Sequence, residues 1–260
     1  MRIARFAGDD DPRFGVIGDD NGVPTIAVLN GDPLYAGLNL SGQKIPLAEV
    51  RLLAPVIPRS KVVCVGKNYA KHAAEMGGEV PEEPLIFLKP NTSVIGPGEP
   101  LFYPEQSEDV HFEGELAVVI GRICRDVPVE DAAKVIFGYT VANDVTARDL
   151  QAKDGQWARA KGFDTFCPLG PWIETDFDPS NVRVTTRLGD EVKQDGRTSD
   201  MVFTVPDVIA YVSSFMTLLP GDVILTGTPD GVGPMVVGDQ ISVTVEGIGT
   251  LTNSVVSRND

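Results

Sequence analysis

Glu113 and Glu115 are separated by a single glycine in the run Val110-His-Phe-Glu-Gly-Glu-Leu-Ala-Val-Val-Ile120. On an extended strand, residues two apart project from one face, so both carboxylates point one way and Gly114 the other. Two carboxylates side by side repel unless one is protonated or a cation lies between them. Apolar residues 116–120 follow at once, which places the strand in an interior. A third carboxylate, Asp144, ends a second apolar strand in Ala142-Asn-Asp144. Three carboxylates at two strand ends form an all-oxygen donor set suited to Mg²⁺ or Mn²⁺, with Ca²⁺ as a further hard cation. Taken alone, the Glu-Gly-Glu pair reads as solvent-facing and Asp144 as a turn cap; the combination carries the metal reading. His111 shares the face of Glu113 and is a weaker fourth ligand. Gly114 leaves room for another backbone to approach.

His72 is one of only two histidines, and a helix would place it one turn from Glu75. A carboxylate that orients an imidazole makes it a usable general base, although an exposed helical ion pair has the same spacing. Arg148 and Gln151 follow Asp144 closely enough to face the same site. Lys89, at the end of an apolar strand, and Lys161, in Lys-Gly-Phe-Asp-Thr165, are the other candidate cations. Thr226-Gly-Thr-Pro-Asp-Gly-Val-Gly233 suits backbone N–H groups cradling a carboxylate, and lacks the Gly-Lys-Ser/Thr ending of a phosphate loop. Cys64, inside an apolar strand, reads as packed rather than reactive.

These groups need strands to hold them. Short strands are expected at 2–6, 14–17, 25–29 and 50–53, then a proline-flanked linker at 55–58. Further strands follow at 61–65, 85–88, 110–120, 137–141, 223–226, 240–245 and 249–255, with a hairpin over 182–194. Helices are expected at 68–76, 129–135 and 205–218, the last with Val208, Val212, Phe215 and Leu219 at helical spacing. Thr146 and Asp149 have capping-box spacing, which predicts a helical turn between them. The fold class is α+β and strand-rich: an N-terminal β subdomain over 1–57 and a catalytic domain over 58–260.

Composition narrows the partners. A formal charge of −15 disfavours nucleic acid and anionic membrane, and requires a local cation if the substrate is an anion. The three cysteines lack metal or disulfide spacing, the N-terminus has no signal-peptide pattern, and no apolar run approaches a membrane span, so a cytoplasmic location is expected.

The ordered segments GKNYAKHAAEMG, FLKPNTSVIG, HFEGELAVVIG, NDVTARDLQ, KGFDTFCPLGPW and ILTGTPDGVG resemble the fumarylacetoacetate hydrolase family over residues 62–233. The resemblance implies a mixed β-sandwich roll, usually dimeric, so a homodimer is expected. It implies that Glu113, Glu115 and Asp144 bind Mg²⁺ or Mn²⁺, and that His72 and Glu75 activate water. It places Lys161 over the substrate oxygens and Thr165 near the metal, with Lys89, Arg148, Gln151 and Thr228 on the substrate side. The implied reaction is metal-dependent cleavage of a C–C bond in a small 2-oxo acid, through a stabilised enolate. Acylpyruvate hydrolase and oxaloacetate decarboxylase both fit, and 2-hydroxyhepta-2,4-diene-1,7-dioate isomerase is the alternative. A metal-binding structural protein without turnover would need the carboxylates but not His72, Glu75 and Lys161.

Overall fold

The computed structural model describes residues 1–258, in which strands form three sheets. The largest runs in the order Leu40–Pro46, Val23–Leu29, Arg13–Asp20, Arg2–Phe6, Cys167–Glu174, Ile136–Asn143, Gly114–Ile120, Val223–Leu225, Val62–Gly66 and Leu85–Lys89. Neighbours on this path are antiparallel except for Val223–Leu225 against Val62–Gly66. A second sheet, in the order Glu191–Arg197, Arg183–Leu188, Gln240–Val245, Gly249–Ser257 and Leu101–Tyr103, packs over its centre. The arrangement is α+β and strand-rich, the class expected from the sequence. No helix among the described residues is long and apolar enough to cross a membrane.

Every residue of Gly114–Ile120 is buried, because its alternating side chains feed two cores. Leu116, Val118 and Ile120 meet Val184 and Val243 of the second sheet and Val208, Ile209 and Val212 of the helix Val205–Phe215. Ala117 and Val119 meet Val62, Cys64 and Val223 on the other side. A strand buried on both faces needs an unbroken apolar run, which is what residues 116–120 supply. Each fully buried Val, Leu or Ile side chain contributes roughly 1.5–3 kcal/mol, so this strand is a major source of stability. The helix is opened by reciprocal bonds between Thr204 and Asp207, and ends at Phe215, short of the expected 218.

Four N-terminal strands carry their own small core, Ala4, Phe6, Ile26 and Val28. They extend the large sheet through Arg2–Phe6, which pairs with Cys167–Glu174 at Ile3 and Ile173. Two of the strands on this path were not expected. Leu40–Pro46 is largely exposed, so it lacks a hydrophobic alternation. Cys167–Glu174 contains Pro168, Gly170 and Pro171, which read as breakers, yet it is buried along most of its length. Residues 129–135 form a 3₁₀ helix, and the expected helix at 68–76 is confined to Ala70–Glu75.

Candidate active site

The expected strand over 110–120 is interrupted at Glu113, and the interruption builds the site. Val110–Phe112 pairs with Thr146–Ala147 and Gly233–Pro234 in a third, small sheet. Its continuation, Gly114–Ile120, pairs with Ile136–Asn143 in the large sheet. Both chains therefore pass between the same two sheets, with Glu113 and Asp144 at the crossing. The Asp144 amide donates to the Glu113 carbonyl at 2.8 Å, and the Glu113 amide donates to Asn143 Oδ1 at 2.9 Å. One oxygen from each of Glu113, Glu115 and Asp144 lies within 4.8 Å of the others, and all three residues are buried. Gly114 makes room for side chains rather than for a backbone: a Cβ there would stand 2.1 Å from Thr186 Oγ1 and 2.9 Å from Val243 Cγ1. Its own amide donates to Gln194 Oε1 at 2.9 Å, and its carbonyl accepts from Thr228 Oγ1 at 2.9 Å.

Cations bracket two of the carboxylates. Lys161 Nζ donates to Glu113 Oε2 at 2.9 Å and to Asp144 Oδ2 at 2.7 Å. Lys89 Nζ donates to Asp144 Oδ1 at 2.6 Å and to the Val145 carbonyl at 3.1 Å. Arg148 forms an ion pair with Glu113 and donates to Gln151 Oε1 at 2.9 Å. Burial alone would raise the Glu113 carboxyl, but Lys161 and Arg148 outweigh it and hold it far below the ordinary range. Burial would lower Lys161, and Asp144 and Glu113 reverse that. Glu115 is different. It accepts the Gly227 amide at 2.6 Å, yet no cation lies within 4.0 Å of it among the described residues. Burial, then Asp144 and Glu113, push its carboxyl well above the ordinary value. A buried, all-oxygen cluster with one uncompensated carboxylate fits a hard divalent cation, which would relieve that repulsion.

Glu113 and Glu115 open onto a cleft of ≈420 Å³ that is also lined by His72, Lys161, Arg148, Gln151 and Thr228. His72 is 5% exposed and its Nδ1 lies 3.2 Å from Glu75 Oε2. Glu75 is in turn fixed by the Gly231 amide, at 3.1 Å to Oε1 and 3.2 Å to Oε2. The glycine-rich loop thus spends two amides, from Gly227 and Gly231, on the protein's own carboxylates.

Two residues expected at the site, Lys89 and Thr165, do not line the cleft. Lys89 is 1% exposed and lies behind Asp144, outside the cleft lining, because its short route from the strand end leads to that carboxylate. Thr165 is also absent from the lining: its backbone takes φ 71° and its hydroxyl accepts the Phe102 amide at 2.9 Å. Thr146 does not cap the helix Arg148–Asp154. It sits in a strand, and its single hydroxyl proton has two acceptors in reach, Glu113 Oε1 at 3.2 Å and the Asp144 carbonyl at 2.9 Å. His111 lies outside the carboxylate cluster, with Nε2 2.8 Å from Asp109 Oδ1, and both residues line the cleft. Sequence reasoning missed Lys67, Met76, Phe87 and Trp157 in the lining. It also missed Asn143 and Gln194 behind the Glu113–Gly114 backbone. Lys67 follows directly on Gly66 in a motif that had drawn attention only to His72 and Glu75; the others carry no chemical signature.

The protein family described as fumarylacetoacetate (FAA) hydrolase C-terminal matches residues 61–256, and the chain belongs to it. Members of this family are enzymes. A second family, Rv2993c-like, N-terminal, matches residues 1–55. The chain is 46% identical over 224 residues to an oxaloacetate tautomerase, mitochondrial FAHD2A of Homo sapiens, covering 82% of this chain and 71% of that one. The crystal structure of a 2-hydroxyhepta-2,4-diene-1,7-dioate isomerase from Mycobacterium marinum superposes with a TM-score of 0.91 at 50% identity, over 100% of both chains. A maleylpyruvate hydrolase from Sphingobium sp. SYK-6, in complex with manganese(II) and pyruvate, matches with a TM-score of 0.81 at 35% identity over 99% of each chain.

Proposed function

We propose that the protein binds a small 2-oxo acid in this cleft and forms its enolate. The observation that carries the reading is that His72, oriented by Glu75, and Lys161 line the same cleft as Glu113 and Glu115. Glu113, Glu115 and Asp144 would hold Mg²⁺ or Mn²⁺, which would supply positive charge to stabilise a developing enolate. A carboxylate only accepts, so Glu75 selects the His72 tautomer protonated on Nδ1 and leaves the Nε2 lone pair free. Nε2 takes the proton from the carbon beside the oxo group. Lys161, held charged by Glu113 and Asp144, donates to the oxygen on which negative charge grows. Gln151 has its carbonyl oxygen occupied by Arg148, so its amide NH₂ is the part left to orient the substrate.

Returning the proton to a different atom of the enolate gives tautomerisation or isomerisation, and the names of the relatives at 46% and 50% identity support this outcome first. Cleavage is the second reading, supported by the His72–Glu75 pair and by the maleylpyruvate hydrolase relative. Nε2 would then deprotonate water, which adds to the 4-carbonyl. The C3–C4 pair leaves as the enolate, which is protonated at C3 to release pyruvate. Oxaloacetate decarboxylation yields the same enolate by loss of CO₂ without added water.

The test follows enol-oxaloacetate decay in the ultraviolet, and pyruvate release from oxaloacetate and acetylpyruvate, with Mg²⁺, Mn²⁺ or EDTA. Metal-dependent enol decay without pyruvate identifies a tautomerase; pyruvate release identifies cleavage. The absence of all three activities with metal present would refute enolate chemistry on these acids. His72→Gln should lower kcat by about 100-fold or more while leaving Mn²⁺ affinity unchanged.

A further inference from the structure

Four cationic side chains line or back the candidate site, and three of them are engaged by its carboxylates: Lys89 with Asp144, Lys161 with Glu113 and Asp144, Arg148 with Glu113. The fourth, Lys67, lines the cleft but has no hydrogen bond and no carboxylate within 4.0 Å among the described residues. It is half-buried, so it is not a lysine free to wander in solvent.

Its backbone adds a second observation. Lys67 sits at φ 56°, in the left-handed region that a lysine rarely adopts. Such an outlier persists only where its surroundings enforce it, and these outliers concentrate at ligand-binding positions. The ammonium is directed to the turn after the helix Ala70–Glu75: a Cβ added to Gly78 would stand 2.4 Å from Lys67 Nζ. Gly78 therefore keeps the space into which the lysine extends.

The cleft walls around this group are apolar. Phe87 and Trp157 meet edge to face with centroids 5.2 Å apart, and Met76 completes that side. Gly66 lets the indole close over the chain, since a Cβ there would be 3.0 Å from Trp157 Cζ3. The one carboxylate in the lining outside the metal cluster, Asp109, is engaged by His111 at 2.8 Å and leaves Lys67 unpaired. The cleft thus presents polar chemistry at the carboxylate cluster, apolar walls, and a single unspent cation.

We infer that Lys67 is a specificity residue that binds a second carboxylate at the far end of the substrate, so that the cleft selects 2-oxo dicarboxylic acids over 2-oxo monocarboxylic acids of the same length. This rests on the proposed binding of a 2-oxo acid. An uncommitted ammonium in a partly desolvated cleft attracts an anion and rejects an alkyl terminus, which would leave the charge unpaired.

The experiment compares two probes of equal chain length that this chemistry cannot cleave or decarboxylate, 2-oxoglutarate and 2-oxovalerate, binding to the Mn²⁺-loaded protein by calorimetry. The wild type should bind 2-oxoglutarate at least about tenfold more tightly, a difference of about 1.4 kcal/mol. Lys67→Met should abolish that preference by weakening the diacid alone, and Lys67→Arg should retain most of it. Gly78→Ala, which pushes against the ammonium, should reduce the preference without touching Mn²⁺ affinity. Equal binding of both probes by the wild type, or an equal loss of both in Lys67→Met, overturns the assignment while leaving 2-oxo acid binding intact. Failure of both probes to bind the metal-loaded protein overturns the 2-oxo acid reading and this inference with it.

Discussion

Replacing Lys89 with methionine isolates the charge balance behind the carboxylate cluster. The ammonium is 1% exposed and lies 2.6 Å from Asp144 Oδ1. At an effective dielectric constant of about 20, that contact is worth roughly 6 kcal/mol of Coulomb attraction. Desolvating the ammonium offsets part of it, and breaking a buried pair from one side costs about 3–5 kcal/mol. Here the lower end applies, because Lys161 remains 2.7 Å from the other oxygen of Asp144. Methionine fills nearly the same volume, so no cavity is added. A loss of about 3 kcal/mol corresponds to a fall of roughly 6–12 °C in the melting temperature of the metal-free protein. The variant site is also one positive charge poorer, so it should bind Mn²⁺ more tightly, and saturating Mn²⁺ should close more than half of the gap. Scanning calorimetry in EDTA and across a Mn²⁺ titration reads both effects. An unchanged melting temperature in EDTA would refute the charge compensation, and a gap that stays constant or widens with Mn²⁺ would refute the metal site behind it.

Glu115→Gln should make the metal-free protein more stable at neutral pH and abolish stabilisation by Mn²⁺. The sign follows from a folded-state carboxyl raised by burial, Asp144 and Glu113: above about pH 4.3 the unfolded chain ionises and the folded carboxyl resists, whereas below it both are protonated and the variants converge. Urea midpoints from pH 4 to 8 check this, and a parent that outperforms the variant at pH 7 would contradict it. Gly114→Ala should lose at least about 1–3 kcal/mol by overpacking against Thr186 and Val243. The double variant with Thr186→Ala should recover part of that loss, since the Thr186 hydroxyl is buried without a partner; strict additivity of the two melting shifts would show that the clash lies elsewhere. Cys64 and Cys167 are fully buried, with burial raising both thiols and Cys167 pushed up to about 12, so no more than one thiol should react with a disulfide reagent at pH 8 before denaturation. All three cysteines should react in guanidinium, and rapid labelling of two in the native protein would contradict the packing.

The carboxylates were legible because strand periodicity and an apolar flank are local properties of the chain. Glu113 and Glu115 meet as the period of two requires, even though the strand breaks at Glu113. The break itself was hidden, since Val110–Phe112 and Gly114–Ile120 are equally apolar and only their partners differ. The Cys167–Glu174 strand was hidden for the opposite reason: local breakers at Pro168 and Pro171 are overruled by burial between Arg2–Phe6 and Ile136–Asn143. Lys89 and Thr165 fall outside the cleft lining, a placement sequence order could not give, since it cannot tell a lysine in front of a carboxylate from one behind it. Lys67 was passed over because its meaning lies in what it does not touch.

Glu113 and Asp144 stand where two paired strands leave one sheet for another, and neither strand can slip there without breaking both sheets. Lys67, Met76, Gln151, Ala152 and Trp157 line the cleft from turns and a short helix outside those sheets. Side-chain changes at these lining positions leave the sheet register untouched, while the groups that draw charge from the substrate stay fixed. A duplicated gene could therefore drift toward a new acid in a few steps and keep the same opening proton transfer. Rigid and replaceable parts of the backbone are divided along the line that separates chemistry from selectivity.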